Sequence, residues 1–371
     1  MPSAELLKEA ERQMVICNAC RYCEGYCAVY PAMERRRSFA PADLTYLANL
    51  CFDCRACFYA CQYAPPHEFA VNIPKIFAEL RTDTYREYGW PRLLSGLNRR
   101  GLAGALVPSA VCVAIVLFLV LLLRGPGVLL SVDSREGAFY RMIPYEAMVA
   151  PALLLAVYGL AVFLIGTVRF WRDTGGRIRG LLNVRAFARA ARDAMSLRYL
   201  GGGGDGCNYP DAAFSNARRW LHHLVFYGFL LDFASTTVAA IYNHFLGWRA
   251  PYPLLSWPVA LGTIGGLMIV AGTLGLLYLK RRSDAVPAEP RMVSMDVAFL
   301  MALFLTSVTG LLLLVLRETP AMGILLAVHL GVVAALFVTL PYGKFAHVFY
   351  RYAALIKNSL EERADQHSAH H

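Results

Sequence analysis

The sequence predicts an all-α protein in two parts. A helical, cysteine-bearing domain occupies residues 1–100, and a bundle of six membrane-spanning helices lies within 101–371. Three observations predict this. One cysteine pattern is written twice near the N-terminus. The remainder is a succession of apolar stretches, in a chain of 371 residues that is 57% hydrophobic and 17% charged, a balance foreign to soluble domains. The alternation that marks strands is nearly absent, whereas apolar residues recur at helical spacing.

The cysteine pattern reads Cys17-x2-Cys20-x2-Cys23-x3-Cys27, then Cys51-x2-Cys54-x2-Cys57-x3-Cys61. This is the spacing of bacterial two-cluster ferredoxins, in which the fourth cysteine of each run ligates the other cluster. It assigns Cys17, Cys20, Cys23 and Cys61 to one [4Fe–4S] cluster, and Cys51, Cys54, Cys57 and Cys27 to a second. A structural zinc site needs four ligands in two pairs, which this pattern overshoots. A disulfide framework needs an oxidising compartment, and residues 1–16 are charged and amphipathic, unlike a secretory leader. The proline that usually follows the fourth cysteine is replaced by Ala28 and Gln62. Two cysteines, Cys112 and Cys207, stand outside the pattern.

In chain order, residues 3–16 read as a helix leading into the first run, and 41–50 as a second. The segment after Cys61 reads as two helical pieces broken at Pro74, and the domain ends near Arg99-Arg100. Together these predict an all-helical ferredoxin domain. The spans follow at 105–123, 145–168, 220–246, 254–279, 296–316 and 321–341, each long enough to cross a core of roughly 30 Å. Lys and Arg number ten in loop 169–219 and four in 280–295, but three, one and one in the alternate loops. Positive residues concentrate on the cytoplasmic side, so both termini and the cysteine domain are expected there. The net charge of +10 is thereby a matter of topology and membrane lipid, not of nucleic acid.

Loop 169–219 holds a basic amphipathic stretch at 181–200, suited to the inner leaflet or to the underside of the cysteine domain. Gly201–Gly204 and Asp205-Gly206-Cys207 follow. They read either as a flexible turn with an incidental cysteine or as a shaped loop touching the cysteine domain or a partner.

Of nine histidines, His367, His370 and His371 fall in a polar tail expected to be disordered, and His67 follows the second run without being needed as a ligand. His222, His223, His244, His329 and His347 lie in or beside spans, where an ionisable group is a functional candidate. His329 and His347 share a helix face, about 27 Å apart, if the helix continues past Pro341. His222 and His244 are about 33 Å apart and about 40° off a common face, with His223 further off. Spans three and six are antiparallel. The depths therefore pair His222 (or His223) with His347 on the inner side and His244 with His329 on the outer side. Stacked bis-histidine pairs are the pattern of a cytochrome b holding one or two b haems. The alternative is histidines that merely sit at the interface. Asp232, near mid-span, either bonds to a neighbouring helix or serves proton movement or a haem propionate.

With these residues in place, the chain resembles the tricarballylate/citrate utilisation protein B family. The likeness rests on the paired cysteine runs, the Arg218-Arg219-Trp220-Leu221-His222-His223 entry to a span, the turn ending in Gly206-Cys207, and Ala250-Pro251-Tyr252 with Gly265-Gly266. The last spans also resemble the cytochrome b subunit of respiratory nitrate reductase. The resemblance implies a bacterial inner-membrane protein that accepts electrons from the reduced FAD of a soluble tricarboxylic-acid dehydrogenase. It would pass them through two [4Fe–4S] clusters and b haem to membrane quinone. No pattern for substrate acid–base or nucleophilic chemistry is visible. The expectation is an electron-transfer component without a substrate-converting site. The rivals are the reverse flow, with quinol feeding a cytoplasmic reductase, and a haem-free iron–sulfur sensor.

Overall fold

Fifteen helices and one two-residue-wide hairpin make up the described residues of this computed structural model, which are 2–92, 94, 101–133 and 135–368. The expected boundary at Arg99-Arg100 lies outside them, as do His370 and His371; His367 falls within the last helix.

The N-terminal region contains α1 (Ala4–Cys20), α2 (Val29–Glu34), α3 (Pro41–Leu50), α4 (Ala56–Tyr59) and α5 (Ile73–Tyr88). The hydroxyl of Ser3 caps α1, accepting from the Leu6 amide at 3.2 Å, as N-caps do. The helix stops at Arg21, whose φ of 55° is left-handed. Both cysteine runs therefore begin where a helix ends: Cys17 and Cys20 on the last turn of α1, Cys51 as the residue closing α3. The expected break at Pro74 is not a break. Pro74 sits in the first turn of α5 behind the Asn72 cap, where a missing N–H costs nothing.

Among the described residues, six helices are long and apolar enough to cross a membrane. These are α6 (Leu102–Arg124), α8 (Tyr145–Asp173), α11 (Ala217–Phe245), α12 (Trp257–Arg282), α13 (Pro290–Leu316) and α14 (Met322–Thr339), with short α7 (Ala138–Met142) before α8. Only 11% of the apolar stretches of α6 and α11 is buried inside the protein, against 44% for α14; α14 is central and the others face outward. Their exposed Val111, Ile115, Phe118, Leu122, Leu154 and Phe233 suit lipid. The tightest seam joins α11 to α12. A Cβ on Gly228 would stand 2.8 Å from the Gly265 carbonyl oxygen, and one on Gly272 would stand 2.9 Å from that of Leu221. Small residues let such backbones approach.

Between α8 and α11 lie α9 (Ile178–Leu181), α10 (Val184–Met195) and the hairpin of β1 (Cys207–Asn208) with β2 (Phe214–Ser215). After α14 the chain does not run straight on. Pro341 and Gly343 interrupt it with two short 3₁₀ turns, and α15 (His347–Ser368) starts afresh. The continuous helix assumed for His329 and His347 is thus broken, and with it the shared-face argument. The former sits in α14 and the latter opens α15.

One apolar core runs through both halves. Phe77, Leu80, Tyr85 and Tyr88 of α5 meet Phe163, Phe170 and Trp171 of α8 and Tyr350, Ala353 and Ala354 of α15. Tyr85 stacks on Tyr350 at 5.7 Å, and Tyr88 meets Phe170 edge-on at 5.8 Å. The tail expected to be disordered is, as far as Ser368, this helix. Glu361 of α15 takes Arg36 of the cysteine region at 2.8 Å.

Candidate functional site

The structure gathers the eight cysteines into two groups. Cys17, Cys20, Cys23 and Cys61 surround a cavity of about 280 Å³ that Cys57 also lines. Burial, reinforced by Cys23, Cys61 and Cys20, pushes the Cys17 thiol up to about 12. Burial likewise raises Cys23 to about 11, although the Tyr30 hydroxyl opposes it. Cys27, Cys51, Cys54 and Cys57 line a second, smaller space of about 10 Å³. Burial, then Cys54 and Cys51, raises Cys27. Among the described residues no three His, Cys, Asp or Glu side chains close on a single ion. Four thiols per group fit a four-thiolate cluster chemically, and the first group has the room for it.

Two non-glycine residues of the second run, Asp53 (φ 57°) and Arg55 (φ 66°), are left-handed. Such residues cost about 1–2 kcal/mol each and concentrate where a chain must wrap a functional group.

Directly beneath the Cys51–Cys54 segment lies a cavity of about 420 Å³ lined by Phe52, Asp53, Arg218, His222, His347 and Arg351 among others. It is within the range of ligand pockets, about 300–1,000 Å³. The rings of His222 and His347, both in its lining, stand edge-on to one another, centroids 6.2 Å apart and planes at 84°. A metal–imidazole bond of about 2.0–2.1 Å on each side separates the centroids of two axial rings by about 6.3 Å. Nδ1 of His347 donates to the Lys344 carbonyl at 2.5 Å. Burial, with Arg351 and Lys344 beside it, holds the ring well below its usual range and therefore neutral. Its Nε2 is left with a lone pair, the usual state of a metal-binding histidine anchored through its other nitrogen. His222 Nδ1 is buried without a partner. The two imidazoles have the donor chemistry to hold one haem iron.

Residues 10–87 match the family model described as citrate utilization protein B Fer4-like domain, and residues 96–368 match citrate utilization protein B. A curated relative from Escherichia coli, citrate utilization protein B, is 48% identical over 359 residues, which are 96% of this chain and 92% of the relative. The chain belongs to the citrate utilization protein B family. No solved structure matches it.

In this family member the other histidines are dispersed. His223 meets Trp220 edge-on and Tyr227 at a tilt, outside the pair, which separates it from His222. His244 is exposed and lies 6.3 Å from Tyr145 of α8. His329 is wedged against α13, Nδ1 3.0 Å from Thr309 Oγ1 and close to Gly310. These two face different helices. His67 bonds the Phe69 amide at 3.0 Å. Asp232 lies against Gly265 of α12, with Oδ1 buried and unpaired.

The glycine-rich loop is shaped, not slack. Gly202, Gly203, Gly204 and Gly206 all have positive φ, and a Cβ on Gly203 would stand 3.2 Å from the carbonyl oxygen of Gly25 in the first cysteine run. Asn208 N donates to the Cys54 carbonyl at 3.1 Å. Cys207 is buried, its thiol donating to the Leu200 carbonyl at 2.9 Å and meeting that of Cys54. Sequence reasoning used Arg218 as part of a family motif and passed over Lys344 and Arg351. Their spacing from histidine, four residues before His222 and three before or four after His347, was the available signal.

Proposed function

We propose that this chain is the membrane electron-transfer partner of a soluble FAD-dependent dehydrogenase that oxidises a tricarboxylic acid such as tricarballylate, and that it delivers the electrons to quinone. Two iron–sulfur clusters and a b haem supply the one-electron steps between a two-electron flavin and a two-electron quinone. Cys17, Cys20, Cys23 and Cys61 hold one cluster; Cys51, Cys54, Cys57 and Cys27 hold the other. His222 and His347 would hold the haem iron, while the aromatic and aliphatic walls keep water away. The observation that carries this reading is the His222–His347 pair, spaced for one metal and set immediately under the second cysteine run. The reading is drawn for one haem, because His244 and His329 face different helices. Quinone takes two electrons and two protons to become quinol, the electrons coming from one reduced flavin. The arginine-rich loops put the cysteine region and both termini on the cytoplasmic side.

The test is composition. Protein purified from membranes is expected to contain about eight irons and eight sulfides per chain, for two cubanes, and a b-type α-band on reduction. Purified, folded protein without the band sinks the haem assignment. Protein without acid-labile sulfide sinks the relay.

A further inference from the structure

Two arginines join the second cysteine run to the histidine pair, and the joint is alike on both sides. Arg218 lies one turn before His222 on α11; Arg351 lies one turn after His347 on α15. Arg218 donates to the Asp53 carbonyl and lies over the Tyr209 ring at 4.6 Å. Arg351 donates to the Cys51 carbonyl at 2.8 Å and lies over Phe52 at 4.5 Å. Arg81, 1% exposed, adds bonds to the carbonyls of Ala48 at 2.9 Å and Cys51 at 3.4 Å.

The counter-charge is thin. Asp53 Oδ2 stands 3.7 Å from Arg218, and Asp296 is engaged by Lys280 and Lys344 at 2.6 and 2.7 Å. Among the described residues the first run has no such environment. The carbonyls of Cys17, Cys23 and Cys61 accept from the backbone amides of Arg21, Tyr26 and Ala64 at 2.8, 3.1 and 3.3 Å. The side chain of Arg21 is exposed and bonds the Asn18 carbonyl. Cationic donors in a poorly solvated setting favour the more negative, reduced form of a bound cluster, and so raise its potential.

Resting on the electron-relay reading, we infer that Arg218 and Arg351, supported by Arg81, make the second cysteine run the higher-potential cluster site and tie it to the His222–His347 pair. Electrons then enter at the partly exposed first run, pass one at a time to the second, and leave it for the histidine pair. At each step the donor site is oxidised by one electron and the acceptor site reduced by one, from reduced flavin at one end to quinone at the other. Arg218 and Arg351 are positioning residues: they set potential and geometry and touch no substrate.

EPR-monitored redox titration of membrane-purified protein tests this, with Cys20→Ser marking the signal of the first run. Wild type is expected to show two separated cluster potentials, the second run's the higher. Arg351→Gln and Arg218→Gln are expected to lower the second run's potential and leave the first in place, with recovery in Arg351→Lys and Arg218→Lys. A single shared potential in loaded wild type overturns the inference even if no variant folds. So does an equal shift of both clusters, or an unmoved second run in both loaded Gln variants. Wild type without clusters is a different failure, that of the relay itself.

Discussion

Cys54 is the residue at which the parts of the molecule touch. Its carbonyl accepts from Asn208, its thiol meets Cys207, and its run carries the carbonyls held by Arg218 and Arg351. Cys54→Ser is therefore expected to remove its own cluster and to disturb the neighbouring one, because Cys27 and Cys61 cross between groups. Cys20 is exposed on the rim of the first group. Cys20→Ser is expected to lower iron content by a smaller amount; iron and sulfide analysis of both proteins measures the difference. Two intact cubanes in either protein would disprove the ligand assignment. At the histidines, His222→Ala and His347→Ala are each expected to abolish the reduced α-band, whereas His329→Ala keeps it, since that ring is occupied by Thr309 and α13. An α-band unchanged in His347→Ala would dismiss the pair.

Among the elements, α11 and α12 depend on the absence of side chains. Gly228→Leu is expected to push these helices apart at a cost of about 1–3 kcal/mol or more, displacing His222 and lowering both thermal stability and haem content. A protein with unaltered melting and full haem would show that the seam tolerates bulk. In α10, Arg189 and Arg192 play different parts. Arg189 bonds Glu362 of α15 at 2.6 Å, while Arg192 is 72% exposed. Arg189→Glu should cost stability of at most about 1 kcal/mol. Arg192→Glu should leave the fold alone and, if the flavoprotein docks at this basic loop, slow electron transfer from it and weaken the dependence on salt. An unchanged rate and salt profile would place docking elsewhere. These elements were unequally legible in the sequence. The six long helices were visible because length and apolarity suffice for a membrane span. The fate of α15 was not, because its apolar face, Tyr350, Ala353 and Ala354, is set by partners on α5 and α8 far away in the chain. The Gly201–Gly206 loop stays open in the sequence between a flexible turn and a shaped one, since its conformation is dictated by the cysteine run it rests on. The approach of His222 to His347 is a contact between two helices and cannot be read from one helical face. Depth matched His222 with His347, but the helical face invoked for His347 ends at Pro341.

At the level of the whole molecule, the C-terminal helix is a structural member of the cysteine region. A chain ending at Ala346 is expected to lose His347, Arg351 and the Arg36–Glu361 pair together, and so to lose haem and most of its iron while remaining in the membrane. Spectra and iron content of the membrane fraction check this; a truncated protein with its α-band intact would contradict it. The single core shared by α5, α8 and α15 has one more consequence. Some redox proteins carry a head on a tether that swings between donor and acceptor, and their turnover slows in viscous media. Here the head is bolted to its base by interlocked aromatic rings, so no swing is available. Electron passage inside the molecule should therefore be indifferent to glycerol or sucrose, and drag should be felt only by the diffusing partners at either end.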